Sequence, residues 1–197
     1  MDKSGALKFI EDKLVALLPH DLYYHGFHHV KDVANAARVL AKEENLTDRH
    51  ALELLETAAF YHDTGFLHTY SGHEEQGCVI AETVLPFFDY SPEDIQVICG
   101  MIMATRIPQS PTTLLEKILC DADLDYLGRA DFEPIASSLY AEMAARSMVT
   151  DKKDWNQIQI NFLNQHHYWT QSAHNLRDSG KQFQLRKLIR LAESFKD

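Results

Sequence analysis

Cysteine is scarce in this 197-residue chain: Cys78, Cys99 and Cys120 are the whole supply, and no two form a CxxC pair. That argues against zinc–thiolate chemistry. Each lies in an apolar stretch, which suits a reduced, buried thiol in a cytosolic protein. Positive charge is short as well. Nineteen Lys and Arg against 29 Asp and Glu leave a net charge of −10. A nucleic-acid polymer or an anionic membrane surface is therefore excluded as a general partner, since both are held by basic patches. A small phosphate compound is not excluded, because a metal ion can sit between it and an acidic protein. The opening segment, MDKSGALKFIEDKLVALLPH, is broken by Glu11, Asp12 and Lys13. It reads as neither signal peptide nor membrane span, and a cytoplasmic location is expected. Strand-like alternation, internal repeats, low-complexity tracts and shifts of composition are also missing.

What is present is helical periodicity, with 45% hydrophobic residues to bury. Leu7, Ile10, Leu14 and Leu17–Leu18 form one apolar stripe, which Pro19 ends. Val30, Val33, Ala37 and Leu40 predict a second helix over residues 27–44. Leu52, Leu55, Ala59 and Phe60 predict a third over 48–62. Ser71 and Glu74 have capping-box spacing and predict the start of a fourth helix that stops near Pro86. Ser91-Pro92 opens a fifth, and Thr113 with Glu116 opens a sixth. A seventh is expected over 128–147, an eighth over 151–173, and a last one after Gly180. The expected fold is an all-α, single-domain helical bundle over residues 1–197.

The chain holds eleven histidines, and their grouping carries the chemistry. "YYHGFHHV" supplies His25, His28 and His29 at the start of the second helix. "YHDTG" supplies His62 and Asp63 at the end of the third. "HTYSGHEE" supplies His68 and His73, and "CDADLDYLG" supplies Asp121, Asp123 and Asp125 at the end of the sixth. Helix ends on one side of a bundle can aim such groups into one pocket.

The ordered set "YHGFHHV…YHDTG…DADLDYLG" resembles the HD-domain superfamily of metal-dependent phosphohydrolases, with its lone His, adjacent His-Asp pair and distant Asp. The resemblance spans residues 20–130, with 131–197 expected to pack on that core. It implies His29, His62, Asp63 and Asp123 as ligands of one divalent ion, Mn, Fe, Mg or Zn; Asp121 is the alternative to Asp123. Tyr24-His25 is similar to the motif of cyclic-nucleotide phosphodiesterases, which implies His25 as proton donor to the leaving oxygen. Asp63 would orient or deprotonate the attacking water. His68 and His73 would contact substrate phosphate or supply a proton, Arg106 would grip a phosphate, and Tyr126 would wall the pocket.

Two departures qualify the match. Phe66 stands where many members have Lys, and no histidine occurs from Glu74 to Ala122, where dinuclear members place a further ligand. One ion is therefore expected rather than two. His28 reads as a surface or core-edge residue, and His166, His167, Tyr168 and Trp169 as packing. The implied activity is hydrolysis of a small phosphate ester, a nucleotide above all. A non-catalytic metal- and nucleotide-binding sensor and a di-iron oxygenase are the alternatives.

Overall fold

The computed structural model describes residues 1–195, so the last two positions of the expected domain lie outside the described residues. The described residues form nine α-helices and no strand. In chain order these are α1 (Lys3–Leu17), α2 (Phe27–Glu43), α3 (Arg49–Tyr61), α4 (His73–Val84), α5 (Pro92–Ala104), α6 (Leu114–Asp123), α7 (Phe132–Ala145), α8 (Lys152–Gln165) and α9 (Gln171–Ser194). Short 3-10 turns follow α3, α4 and α6, at Thr64–Leu67, Leu85–Phe88 and Asp125–Gly128.

Several helix starts follow from side-chain capping. Asp48 accepts from the backbone of His50 and Ala51 ahead of α3. Ser91 with Asp94 and Thr113 with Glu116 form reciprocal capping boxes at α5 and α6, satisfying amide groups that a helix start leaves unpaired. The expected box at Ser71 does not form. Gly72 caps α4 in the left-handed conformation (φ 72°) with no side-chain bond, and Glu74 is buried instead.

Three further boundaries differ from expectation. Residues 128–131 do not join α7, because the chain first closes the 3-10 turn that ends at Gly128. The expected eighth helix breaks at Gln165, and a new one begins at Gln171. The cause is Asp121, whose carboxylate accepts from the backbone N–H of both Trp169 and Thr170 and holds that stretch out of helix. Gly180, expected to precede the last helix, lies inside α9. A Cβ there would fall 1.9 Å from the Gly128 carbonyl oxygen, so this glycine permits a close approach of two backbones.

The buried residues form two clusters. Ile10, Leu14, Val33, Leu40, Leu55, Ile98, Ile102 and Leu119 belong to the larger one, built from α1 to α6. Tyr126, Leu127, Phe132, Ile160, Leu163 and Leu185 belong to the second, between the turn after α6 and helices α7 to α9. Each fully buried Leu or Ile contributes about 1.5–3 kcal/mol of transfer free energy. Arg129 ties the clusters together by bonding Asp32 of α2 at 2.8 Å, and Arg177 of α9 braces the second one by bonding Asp125 at 2.6 Å. The three cysteines are free thiols. No helix among the described residues is long and apolar enough to cross a membrane.

Candidate metal centre

The ends of α3 and α6 and the first turn of α2 meet at the seam between the two clusters. The last turn of α3, Ala58 to Tyr61, is apolar, and the chain then turns sharply. Thr64 Oγ donates to the Tyr61 carbonyl at 2.7 Å, and Gly65 lets the α4 backbone approach so closely that a Cβ would lie 1.9 Å from the His73 carbonyl oxygen. His62 and Asp63 are thereby fixed at the head of the turn, with α4 laid against them.

His29, His62 and Asp123 each present a ligand atom there, and these atoms lie within 4.8 Å of one another. His29 Nε2 is 3.1 Å from Asp123 Oδ1 and 3.5 Å from Asp63 Oδ2. His62 Nε2 is 3.2 Å from Asp63 Oδ2 and 3.6 Å from Asp123 Oδ1. His62 Nδ1 donates to the Ala59 carbonyl at 2.8 Å, which fixes the tautomer and leaves the Nε2 lone pair facing the cluster.

Two buried atoms here, His62 Nε2 and Asp63 Oδ2, have no hydrogen-bond partner. Orphaned buried polar atoms are costly and rare. Their convergence with two more ligand groups fits a divalent cation, which takes imidazole and carboxylate donors together. Without a cation, burial opposes charge on His62, but Asp63 and Asp123 outweigh it and raise its pKa well above the ordinary value. Burial likewise opposes ionisation of Asp63 and Asp123, and the two histidines win, holding both carboxyls below the usual range.

Asp121 and Asp125 point elsewhere. Asp121 is fully buried and spends both oxygens on Trp169 N, Thr170 N and Thr170 Oγ at 2.7–2.8 Å. Asp125 spends its oxygens on Arg177. Alternate residues of a helix end diverge by about 200°, so Asp123 alone of the three faces the histidines.

Beside the cluster, His25 Nδ1 is 2.5 Å from Glu142 Oε1. Glu142 also accepts from the backbone of Tyr24 and His25 and from the Tyr70 hydroxyl, at 2.8, 3.1 and 3.0 Å. Burial works against its charge, but the bond and charge of His25 with the Tyr24 and His25 backbone bonds together outweigh this and lower the carboxyl to about 2. Phe66 packs against two imidazoles, stacked on His25 (centroids 4.4 Å apart) and on His73 (4.0 Å). His73 Nε2 reaches to 3.6 Å from Asp63 Oδ1 and 3.5 Å from Glu74 Oε1. His25, Asp63, His73, Asp123 and Tyr126 all line one cavity.

Two other expected site residues are not brought to it. His68 is exposed beyond the turn, and Arg106 is exposed and paired with Glu75. His28 is exposed, as expected. Tyr168 is buried, His166 and Trp169 are half-buried, and His167 is exposed. Sequence reasoning missed Glu142 and Glu74. Glu142 had a signal: it sits with Leu139 and Met143 at i, i+3 and i+4 spacing, an acid on the apolar face of α7. Glu74 was hidden by its resemblance to a capping residue.

The HD domain family model matches residues 26–125, the segment that carries every candidate ligand. No curated protein matches the chain. Among solved structures, a predicted HD superfamily hydrolase from an uncultured Thermotogales bacterium is similar, with 21% identity and a TM-score of 0.63 over 98% of this chain and 92% of that one. A protein from Lactobacillus plantarum is similar over 100% of both chains, with 19% identity and a TM-score of 0.70. At these identities the likeness concerns the fold.

Proposed function

Because this chain belongs to the HD domain family, we propose that it is a divalent-metal-dependent hydrolase of a small phosphate ester. The observation that carries the reading is the convergence of His29, His62 and Asp123 beside Asp63, with the two carboxylates lining a cavity that His25 also lines. These four residues would hold the ion. When bound, a divalent ion supplies Lewis acidity: it lowers the pKa of water toward neutrality and offsets charge on phosphoryl oxygens.

The chain's own groups account for the proton movements. Hydrolysis forms a bond from the water oxygen to phosphorus and breaks the bond from phosphorus to the ester oxygen. Asp63, whose Oδ2 faces the two histidines, has Oδ1 left to orient the attacking water and accept its proton. His25 donates from Nε2 to the departing oxygen while Glu142 holds Nδ1 and offsets the imidazolium charge. Phe66, stacked on both His25 and His73, keeps the two rings at their angles. The family resemblance alone implies a nucleotide; the chemistry of the cavity beside the centre favours a different ester.

The test is release of phosphate or nitrophenol from p-nitrophenyl phosphate and bis-p-nitrophenyl phosphate, with Mn, Fe, Mg and Zn tried in turn. Activity in the wild type that vanishes in Asp63→Ala and His62→Ala supports the proposal. Wild-type rates in both variants would end it.

A further inference from the structure

The cavity beside the metal-ligand cluster extends well past it, with a volume of about 280 Å³. One end carries Asp63, His73, Glu74 and Asp123. The other is walled by α7 and α8, with Leu139, Met143, Trp155, Ile158 and Phe162. Gln159 is the one amide among the described residues lining that end, and no Lys or Arg joins the lining. The nearby cations are committed elsewhere. Arg106 pairs with Glu75, Arg129 with Asp32 and Asp131, Arg146 with Asp21, and Arg177 with Asp125.

This chemistry selects among phosphate esters. Phosphates of a polyphosphate tail beyond the one at the metal would meet Glu74 and find no guanidinium or ammonium to hold them. A sugar seated against α7 and α8 would lose the water on its hydroxyls with Gln159 alone to replace it there, and unpaired buried hydroxyls are costly. An uncharged apolar group instead gains by leaving water, in a space near the lower end of ligand-pocket volumes. Resting on the phosphate-ester reading of the adjacent centre, we propose that the α7–α8 chamber takes a compact apolar group, so that the substrate is a single-phosphate ester of an apolar alcohol. A nucleoside polyphosphate or a sugar phosphate would be the poorer substrate, with Leu139 and Ile158 setting the preference.

Two measurements on the full chain test this. The first is calorimetric titration with 1-naphthylmethanol, the alcohol half alone, which reads the chamber without requiring turnover. The second compares kcat/KM for 1-naphthylmethyl phosphate, glycerol phosphate and AMP on Mn-loaded protein. The alcohol is expected to bind with a Kd of about 1 mM or tighter. Ile158→Glu should weaken it at least about tenfold while thermal unfolding and metal content stay at wild-type values. Leu139→Glu repeats the test from α7 if the first variant unfolds early. The naphthyl ester should exceed both comparators at least about tenfold in kcat/KM. No binding of the alcohol, or AMP or glycerol phosphate turned over as fast as the naphthyl ester, would overturn the inference and leave the hydrolase reading standing. Binding of the alcohol that Ile158→Glu abolishes, with no ester hydrolysed under any metal, would uphold the apolar chamber and refute the hydrolase reading instead.

Discussion

Exchanging Asp121 and Asp123 for Asn, one at a time, separates a carboxylate that holds the fold from one assigned to the metal. The two stand two residues apart, and the structure gives them opposite work. Asp121 is fully buried; its Oδ1 accepts from Trp169 N at 2.8 Å, and its Oδ2 accepts from Thr170 N and Oγ at 2.8 and 2.7 Å. An Asn in the same rotamer keeps one oxygen for Thr170 and turns an amide group toward the Trp169 N–H. One buried backbone donor then loses its acceptor, which costs about 1–3 kcal/mol. For a chain of this size that lowers Tm by roughly 3–10 °C. Metal content should be unchanged, because Asp121 does not face the histidines. Asp123→Asn removes no backbone acceptor, but it takes away the charge that pairs with His29 and His62, so the metal-free Tm should fall as well, and metal content is what separates the two variants. Bound metal should be lost. The assay is a thermal melt beside elemental analysis for each variant. If Asp121→Asn loses the metal and Asp123→Asn keeps it, the assignment of the two carboxylates is reversed.

Other perturbations have equally definite outcomes. Gly180→Ala places a Cβ 1.9 Å from the Gly128 carbonyl, and overpacking should cost about 1–3 kcal/mol despite the better helix propensity of Ala; a denaturant titration reads it. Phe66→Ala removes the ring that packs on His25 and His73 and should lower kcat about 10–100-fold with metal content retained, which steady-state kinetics alongside elemental analysis would show. Glu142 has a folded-state pKa near 2 against an ordinary 4.5, so it contributes stability above pH 4.5 that is lost as the pH falls toward 2. Thermal melts across that window should therefore fall less steeply in Glu142→Gln than in the wild type. In the metal-free protein the His62 pKa is raised above 6.5, so its stabilising contribution is full below that pH and lost as the pH rises through the higher folded value. Metal must displace that proton, and its apparent affinity should rise about tenfold per pH unit over the same range, as metal titrations at stepped pH would record.

The all-α class and most helix starts were legible because they are local. Apolar stripes at helical spacing and the caps at Asp48, Ser91 and Thr113 depend on residues within one turn of each other. The boundaries that differed depend on distant partners. The helix break after Gln165 is set by Asp121, 48 positions before Trp169. Gly180 stays helical because Gly128 lies against it, which no local signal announces. The same division holds at the site. The His and Asp motifs could be read as an ordered set, whereas choosing Asp123 over Asp121 needed the direction of each carboxylate. The partnership of His25 with Glu142 spans 117 residues and needed the packing of α7. Arg106 looked suited to a phosphate, and its engagement by Glu75 across α4 is likewise a tertiary fact.

The central claim is that His29, His62, Asp63 and Asp123 hold a divalent cation. Elemental analysis by mass spectrometry of purified wild-type protein beside His62→Ala tests it most directly. The account predicts about one Mn, Fe, Mg or Zn per wild-type chain and loss of that metal in the variant. Absence of metal from the wild type even after reloading, or equal metal in both proteins, would contradict it.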